Sequence, residues 1–260
     1  MAEDVYNATI AAREDKGPRT AIFRVKPDRG KVPEFSPGQF VTIGLKEDEA
    51  ASSPEQLIRR PYTIASPSTE RACLELFISR TGDGGLTDRI WKLNDGARLW
   101  VDDRIRGTFT LDDIPEGVDM LMVSTGTGIA PFVSMLKTFR GSGRWRRCII
   151  INVARDEADL GYHDELKEIA AADSTLTYLP MVLENPESNQ WAPLRERVVE
   201  ALSRRVDDPD KKAIGPSECH AFLCGNPEMI DAVCEMLINR GFRMESDYAR
   251  GNLHFERYWT

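Results

Sequence analysis

Histidine is scarce in this chain. His163, His220 and His254 are the only three in 260 residues, and they lie far apart. No metal-ligand spacing appears among them, which argues against a zinc or iron site. Cysteine is odd in number and scattered (Cys73, Cys148, Cys219, Cys224, Cys234). There is no C-x-x-C and none of the C-x4-C-x2-C spacing of a plant-type iron–sulfur cluster. Cys219 and Cys224 flank His220-Ala221-Phe222-Leu223, which reads as a strand, so free thiols in a reducing compartment are expected. No run approaches the roughly 18 apolar residues of a membrane span. Met1-Ala2-Glu3-Asp4 lacks the basic and apolar regions of a secretory signal. A soluble, cytoplasmic protein without a membrane partner is therefore expected. Excess positive charge is missing too: the net charge of -8 argues against general nucleic-acid binding.

The chain's length suits one large or two ordinary domains, and its 41% hydrophobic and 29% charged residues are those of a globular protein. To about residue 112 it reads as β-rich. Strands are expected over Thr20–Val25, Gln39–Leu45, Leu74–Ser79, Arg98–Val101 and Gly107–Leu111, with a helix near Leu86–Leu93. Short strands separated by Gly, Pro and Asp turns favour an antiparallel β-barrel. After Asp112-Asp113-Ile114-Pro115 the rhythm changes. Strands at Asp119–Ser124, Cys148–Val153, Leu176–Val182 and His220–Cys224 alternate with helices to Phe139, over Asp164–Ala171, over Pro193–Leu202 and from Asn226 to Gly241. That alternation predicts an α/β unit with a parallel sheet. The expected organisation is a barrel over 1–112 and an α/β domain over 113–260.

Four segments carry chemistry. Arg60-Pro61-Tyr62-Thr63 offers a forked cation before a strand, an aromatic face two residues on and a hydroxyl. Those groups can hold a flavin by phosphate, ring and N5 edge. The turn Gly82-Asp83-Gly84-Gly85, followed by Leu86-Thr87, allows close backbone approach to an anion. Gly126-Thr127-Gly128-Ile129-Ala130-Pro131 lies between an apolar strand and a helix, as a dinucleotide turn requires, although Pro131 replaces the third glycine. Cys224-Gly225-Asn226-Pro227-Glu228-Met229 ends a strand and starts a helix, with Asn226 as cap and Pro227 in the first helical position. Each segment also has an ordinary reading: an edge strand with Tyr62 in the core, simple loop-to-helix turns, and a buried structural Cys224.

Taken in this order, the four segments and the aromatic end Phe255-Glu256-Arg257-Tyr258-Trp259-Thr260 resemble the ferredoxin–NADP(+) reductase family, in its bacterial single-chain type. The resemblance implies FAD and NADP(H) as cofactors. It implies hydride transfer from NADPH to FAD, then single electrons to a separate ferredoxin or flavodoxin. Position by position, Arg60 would bind the FAD phosphates, with Pro61 contributing backbone contacts. Tyr62 would stack on the isoalloxazine and Thr63 would reach N5. Phe77 and Ser79 would lie beside the ribityl chain and adenine, and Gly85, Leu86 and Thr87 would hold the diphosphate. Gly126, Thr127 and Gly128 would receive the second nucleotide, Thr127 between the two rings. Cys224, Gly225, Asn226 and Glu228 would line the nicotinamide pocket. Tyr258 and Trp259 would cover FAD. Thr63, Cys224 and Glu256 are the candidates for the hydride step. Ala154, Arg155 and Arg197 would surround the NADP 2′-phosphate, whereas Glu184 stands where the family often has an arginine. That acid motivates the alternative of an NADH-dependent flavin reductase serving an oxygenase or other acceptor. Arg80, Arg89, Arg104 and Arg106 are candidates for docking an acidic carrier, and a monomer is expected.

Overall fold

The computed structural model describes residues 5–47, 53–82, 85–182, 196, 198, 200, 214–246 and 250–258. The chain divides into two compact units. Met1–Asp113 and Ala130–Thr138 form the first; Ile114–Ile129 and Phe139–Thr260 form the second.

In the first unit the strands are β1 (Ala8–Asp15), β2 (Thr20–Pro27), β3 (Phe40–Lys46), β4 (Leu57–Thr63), β5 (Leu74–Ser79) and β6 (Arg98–Val101). They pair antiparallel in the order β4-β3-β6-β1-β2-β5. The two ends of this order meet at the bridge Ile64↔Leu76, reinforced by the Ala65 N–H donating to the Glu75 carbonyl at 2.8 Å. A barrel is the result. Its interior is filled by alternate residues such as Ile10, Phe23, Val41, Ile43, Leu76 and Leu99. Pro61 lies inside β4, which is tolerated because β4 ends the strand order and needs fewer ladder donors. The short helix α1 (Leu86–Ile90) adds Leu86 and Ile90 to the same core.

The expected strand Gly107–Leu111 does not form. Pairing stops at the bridge Phe40↔Arg106, and Gly107 (φ +118) turns the chain in a backbone region closed to other residues. Phe109 is then buried with its ring centroid 6.1 Å from that of Phe132. Phe132 belongs to helix α2 (Ala130–Phe139), most of which clusters with the barrel. Ser134 Oγ donates to the Ser66 carbonyl at 2.7 Å, Lys137 Nζ to Glu75 Oε1 at 3.1 Å, and the Ser68 N–H to Thr138 Oγ1 at 3.0 Å.

The second unit is a parallel sheet of β7 (Val118–Thr125), β8 (Trp145–Ala154), β9 (Leu176–Val182), β10 (Cys219–Gly225) and β11 (Leu253–Arg257), ordered β11-β10-β7-β8-β9. Helices α3 (His163–Ala172) and α4 (Pro227–Ile238) accompany it. The expected helix over Pro193–Leu202 lies mostly outside the described residues; within it Glu196, Val198 and Glu200 are helical, and Val198 is buried. Leu253–Arg257, read from sequence only as part of an aromatic tail, is a strand in register with Ala221–Gly225. Among the described residues no helix is long and apolar enough to cross a membrane.

At the starting edge of this sheet Asp119 is almost wholly buried. Arg146 grips both its carboxylate oxygens at 2.9 Å and also reaches Glu218 at 2.8 Å. Arg147 adds a bond from Nε at 3.1 Å and a second from Nη2. Burial pushes the Asp119 pKa up, but the hydrogen bonds and charges of the two arginines outweigh it and hold the carboxyl below its ordinary range.

On β10 and β11 the rings of His220 and His254 stack, with Nδ1 and Nε2 3.1 Å apart, and Phe222 lies 4.4 Å from His254 on a centroid basis. Burial, then the neighbouring His220, lowers His254 to about 4, against a weaker pull from Glu245. Burial and Arg144 lower His220 as well. A base whose folded pKa is depressed stabilises the fold in full above its unfolded value and loses that contribution as pH falls toward the folded one. Unfolding free energy should therefore drop on the order of 2 kcal/mol as pH falls from about 7 to about 4 through this pair. Urea denaturation of wild type and His254→Asn at both pH values checks it. An equal pH slope in the two proteins would remove the pair as its source.

Candidate functional site

Two regions of the fold can receive nucleotides, one in each unit. In the barrel, Ile64↔Leu76 is the only bridge between β4 and β5 among the described residues. Arg60 and Tyr62 lie on the β4 stretch before that bridge, and Ser79 ends β5 beyond it. Arg60, placed by the sequence just before a strand, is inside one, opposite Ile43; Tyr62 stands opposite Val41. The strand period of two puts both on the face that carries the barrel core. The Tyr62 hydroxyl shares a 3.3 Å hydrogen bond with Thr87 Oγ1, so the β4 motif and the start of α1 converge. Gly85 precedes α1 in extended conformation, and Leu86 is anchored in the core. Arg60 is exposed, and among the described residues its guanidinium donates only to the Arg59 carbonyl, at 2.9 Å. An exposed fork with no carboxylate partner among the described residues, beside an aromatic ring and a hydroxyl, fits the diphosphate-and-ring half of a flavin nucleotide. Pro61 is exposed, Thr63 buried and paired with Phe40; Phe77 is buried on the face of β5 opposite Leu76 and Ile78. Asp83 and Gly84 fall outside the described residues.

In the second unit the strand order reverses between β7 and β10, the switch point at which α/β sheets bind ligands beyond their carboxyl ends. The two glycine turns meet there. A Cβ on Gly128 would come within 2.4 Å of the Cys224 carbonyl oxygen. Gly225 has φ +123, and a Cβ there would lie 2.2 Å from Thr125 Oγ1. That hydroxyl accepts the Asn226 N–H at 2.8 Å. The Asn226 side chain in turn caps α4, accepting from Glu228 N at 2.8 Å and Met229 N at 3.2 Å. Gly126 adopts φ +50, and Thr127 receives the Tyr258 hydroxyl on its carbonyl at 3.3 Å. Tyr258, just beyond β11, also donates its N–H to Gly225 at 3.3 Å.

Cys224 is wholly buried, with Sγ 4.0 Å from Glu256 Oε2. Burial, then the Glu256 charge, pushes its pKa up, so this thiol stays protonated and can donate but not attack. Glu228 is exposed. Ala154 closes β8 and is buried, while Arg155 after it is exposed, with no ion pair among the described residues. Arg197, Glu184 and Trp259 lie outside the described residues. Of the arginines considered for docking, Arg80 is paired with Asp88 at 3.1 Å and Arg106 with Asp102 at 2.8 Å. Arg89 donates to the Lys46 and Glu47 carbonyls. Sequence reasoning missed the Thr125 hydroxyl that joins the two glycine turns; its only signal was a hydroxyl residue immediately before Gly126.

Residues 122–235 match the family model described as an oxidoreductase NAD-binding domain. The chain is 30% identical over 233 residues to the ferredoxin–NADP reductase of Azotobacter vinelandii, covering 86% of each chain. It is 29% identical over 231 residues to that of Pseudomonas aeruginosa, again with 86% of each covered. Among solved structures it is similar to a ferredoxin NADP+ reductase from Neisseria gonorrhoeae with bound FAD and NADP. That likeness has a TM-score of 0.81 at 22% identity, over 99% of this chain and 100% of the other. With a barrel, a parallel-sheet unit and this degree of identity along most of its length, the chain belongs to the ferredoxin–NADP reductase family of oxidoreductases.

Proposed function

We propose that the protein binds FAD on the barrel and NADPH on the parallel-sheet unit, and passes reducing equivalents from NADPH to a separate ferredoxin or flavodoxin. The observation that carries this reading is the exposed Arg60 fork, without an ion pair among the described residues, beside the Tyr62–Thr87 bond, together with two interlocked glycine turns at a topological switch point. When bound, the flavin accepts a hydride and gives up electrons singly, chemistry that no side chain supplies. Arg60 neutralises the diphosphate, Tyr62 lies against the ring, and Thr63 donates at its edge. Phe77 and Ser79 flank the remaining chain, and the N–H groups of Gly85, Leu86 and Thr87 receive phosphate oxygens. Thr127, Gly126, Gly128 and Glu228 receive the nicotinamide nucleotide. Cys224 contributes a neutral thiol held toward Glu256, while Tyr258 orders the Thr127 carbonyl. Ala154 and Arg155 face the 2′-phosphate, with Arg197 as a second cation.

Glu184 favours a second reading, an NADH-dependent flavin reductase, because a carboxylate near a 2′-hydroxyl can accept a hydrogen bond but repels a 2′-phosphate. Anaerobic titration with each nucleotide, following flavin absorbance, separates the two. NADPH should bleach the flavin at much lower concentration than NADH. Arg155→Ala should raise the KM for NADPH roughly tenfold and leave that for NADH within about twofold, as loss of a phosphate-pairing cation predicts. Preference for NADH in the wild type would move the function to the second reading. A protein that binds no added FAD would overturn both.

A further inference from the structure

We propose that Arg13 is a positioning residue for the diphosphate half of the flavin site, acting through α1; this rests on the reading of that site given above. The chain of causes starts in the backbone. In β1 the register slips between Ile10 and Ala12: Ile10 pairs with Val25, but Ala12 pairs with Arg24. A bulge of this kind reverses which side later residues face. Without it Ala12 and Glu14 would follow Ile10 inward. With it Arg13 stands opposite Phe23, a residue of the barrel core.

An arginine directed to the core side needs partners for its charge and its donors. Arg13 finds them at the far end of α1. Nη1 donates to the Trp91 carbonyl at 2.6 Å and to the Leu93 carbonyl at 3.1 Å, and Nε donates to Asp15 at 2.8 Å. The guanidinium also lies 4.7 Å from the centroid of the Trp91 ring and 5.4 Å from that of Phe23. Its side chain is 14% exposed.

Helix α1 has only five residues and cannot hold its own geometry by hydrogen bonding alone. It is fixed from outside. Asp88 accepts the Gly82 N–H and Arg80 Nε, and Arg89 donates to the Lys46 and Glu47 carbonyls. Arg13 supplies the clamp on the open carbonyl of the C-cap residue Trp91 and on that of Leu93 in the turn beyond the helix. The opposite end of the same helix starts with Leu86 and Thr87, preceded by Gly85, and Thr87 is bonded to Tyr62. A turn that receives phosphate oxygens on local N–H and hydroxyl groups gains affinity when those groups are held before the ligand arrives. Arg13 acts without touching flavin or phosphate; it keeps the turn in place.

Arg13→Met keeps a long apolar stem against Trp91 and Phe23 and removes the fork. It is compared with wild type by fluorescence titration of the flavin-free protein with FAD and with riboflavin, which lacks the diphosphate. FAD should bind roughly ten- to a hundredfold more weakly to Arg13→Met, the range for one or two charge-assisted hydrogen bonds, and riboflavin within about twofold of wild type. Amide hydrogen exchange in the FAD-free variant should rise over residues 85–93 and stay unchanged in β2 and β5. Unchanged FAD affinity, equal weakening of both ligands, or unchanged exchange over 85–93 would overturn the proposal. Arg13→Lys, which retains charge and stem, provides the same comparison with a smaller split if the methionine variant does not fold. A wild-type protein that fails to bind FAD would instead count against the flavin site itself.

Discussion

Gly225→Ala is expected to destabilise the second unit by about 3 kcal/mol or more and to abolish NADPH-dependent flavin reduction. Two independent costs combine at this position. The backbone has φ +123, a region in which a side chain is strained whatever the space around it. The added Cβ would also stand 2.2 Å from Thr125 Oγ1 and 2.9 Å from the Thr125 carbonyl oxygen. Moving Thr125 away would break its bond to the Asn226 N–H, and Asn226 caps α4. One methyl group thus reaches the strand, the turn and the helix start together. Gly117 provides the control. It too has a positive φ, +72, but nothing lies within 4 Å of where its Cβ would be. Gly117→Ala should therefore cost only about 1 kcal/mol, the strain without the collision. Combining Gly225→Ala with Thr125→Ala should restore part of the loss by removing the hydroxyl. Chemical denaturation of the four proteins measures each contribution, and equal losses in Gly225→Ala and Gly117→Ala would show that the collision is absent.

Asp119→Ala should cost about 1–3 kcal/mol, because it removes a buried carboxylate that accepts from both guanidinium groups and leaves those partly exposed like charges side by side. The pH dependence follows from the direction of the shift. The folded carboxyl titrates below its unfolded value of 3.8, so its contribution is present in full above that value and is lost as pH falls through the folded pKa. Wild type should thus lose stability steeply below about pH 4, and Asp119→Asn should start lower and show a shallower acid limb. Denaturant midpoints between pH 3 and pH 7 decide the matter. Parallel curves for the two proteins would place the acid sensitivity elsewhere.

Much of the fold was legible because hydrophobic period and turn residues agreed. Leu74–Ser79, Arg98–Val101 and Leu176–Val182 form strands with the bounds that their patterns suggested. Continuous apolar runs such as Cys148–Val153 lie within the buried centre of β8. The failures have local causes. β1 was missed because Ala8–Asp15 is poor in β-branched residues, ends in charge, and loses its alternation at the bulge. β4 was seen only at its end, since Arg59, Arg60 and Pro61 disguise a strand at the end of the sheet order. Gly107–Leu111 has strand-like residues, but the positive φ of Gly107 diverts the chain. β11 reads as an aromatic tail in isolation, and only its pairing with β10 makes it a strand. The same division holds for the candidate site. Glycine turns and the Arg60–Thr63 motif are local and can be read, whereas the Thr125–Asn226 and Arg13–Trp91 bonds join residues 101 and 78 positions apart.

The membership of Ala130–Thr138 in the first unit has a consequence for how that unit comes into being. Its last piece is made only after the strand Val118–Thr125 and the glycine turn Gly126–Ile129 have been synthesised. Until then the Ser66 carbonyl, the Glu75 carboxylate and the ring of Phe109 await Ser134, Lys137 and Phe132. The barrel is thus an object completed in two instalments, with sixteen residues of the other unit, 114–129, synthesised between them. Cutting the chain at Asp113 would deliver the first instalment alone.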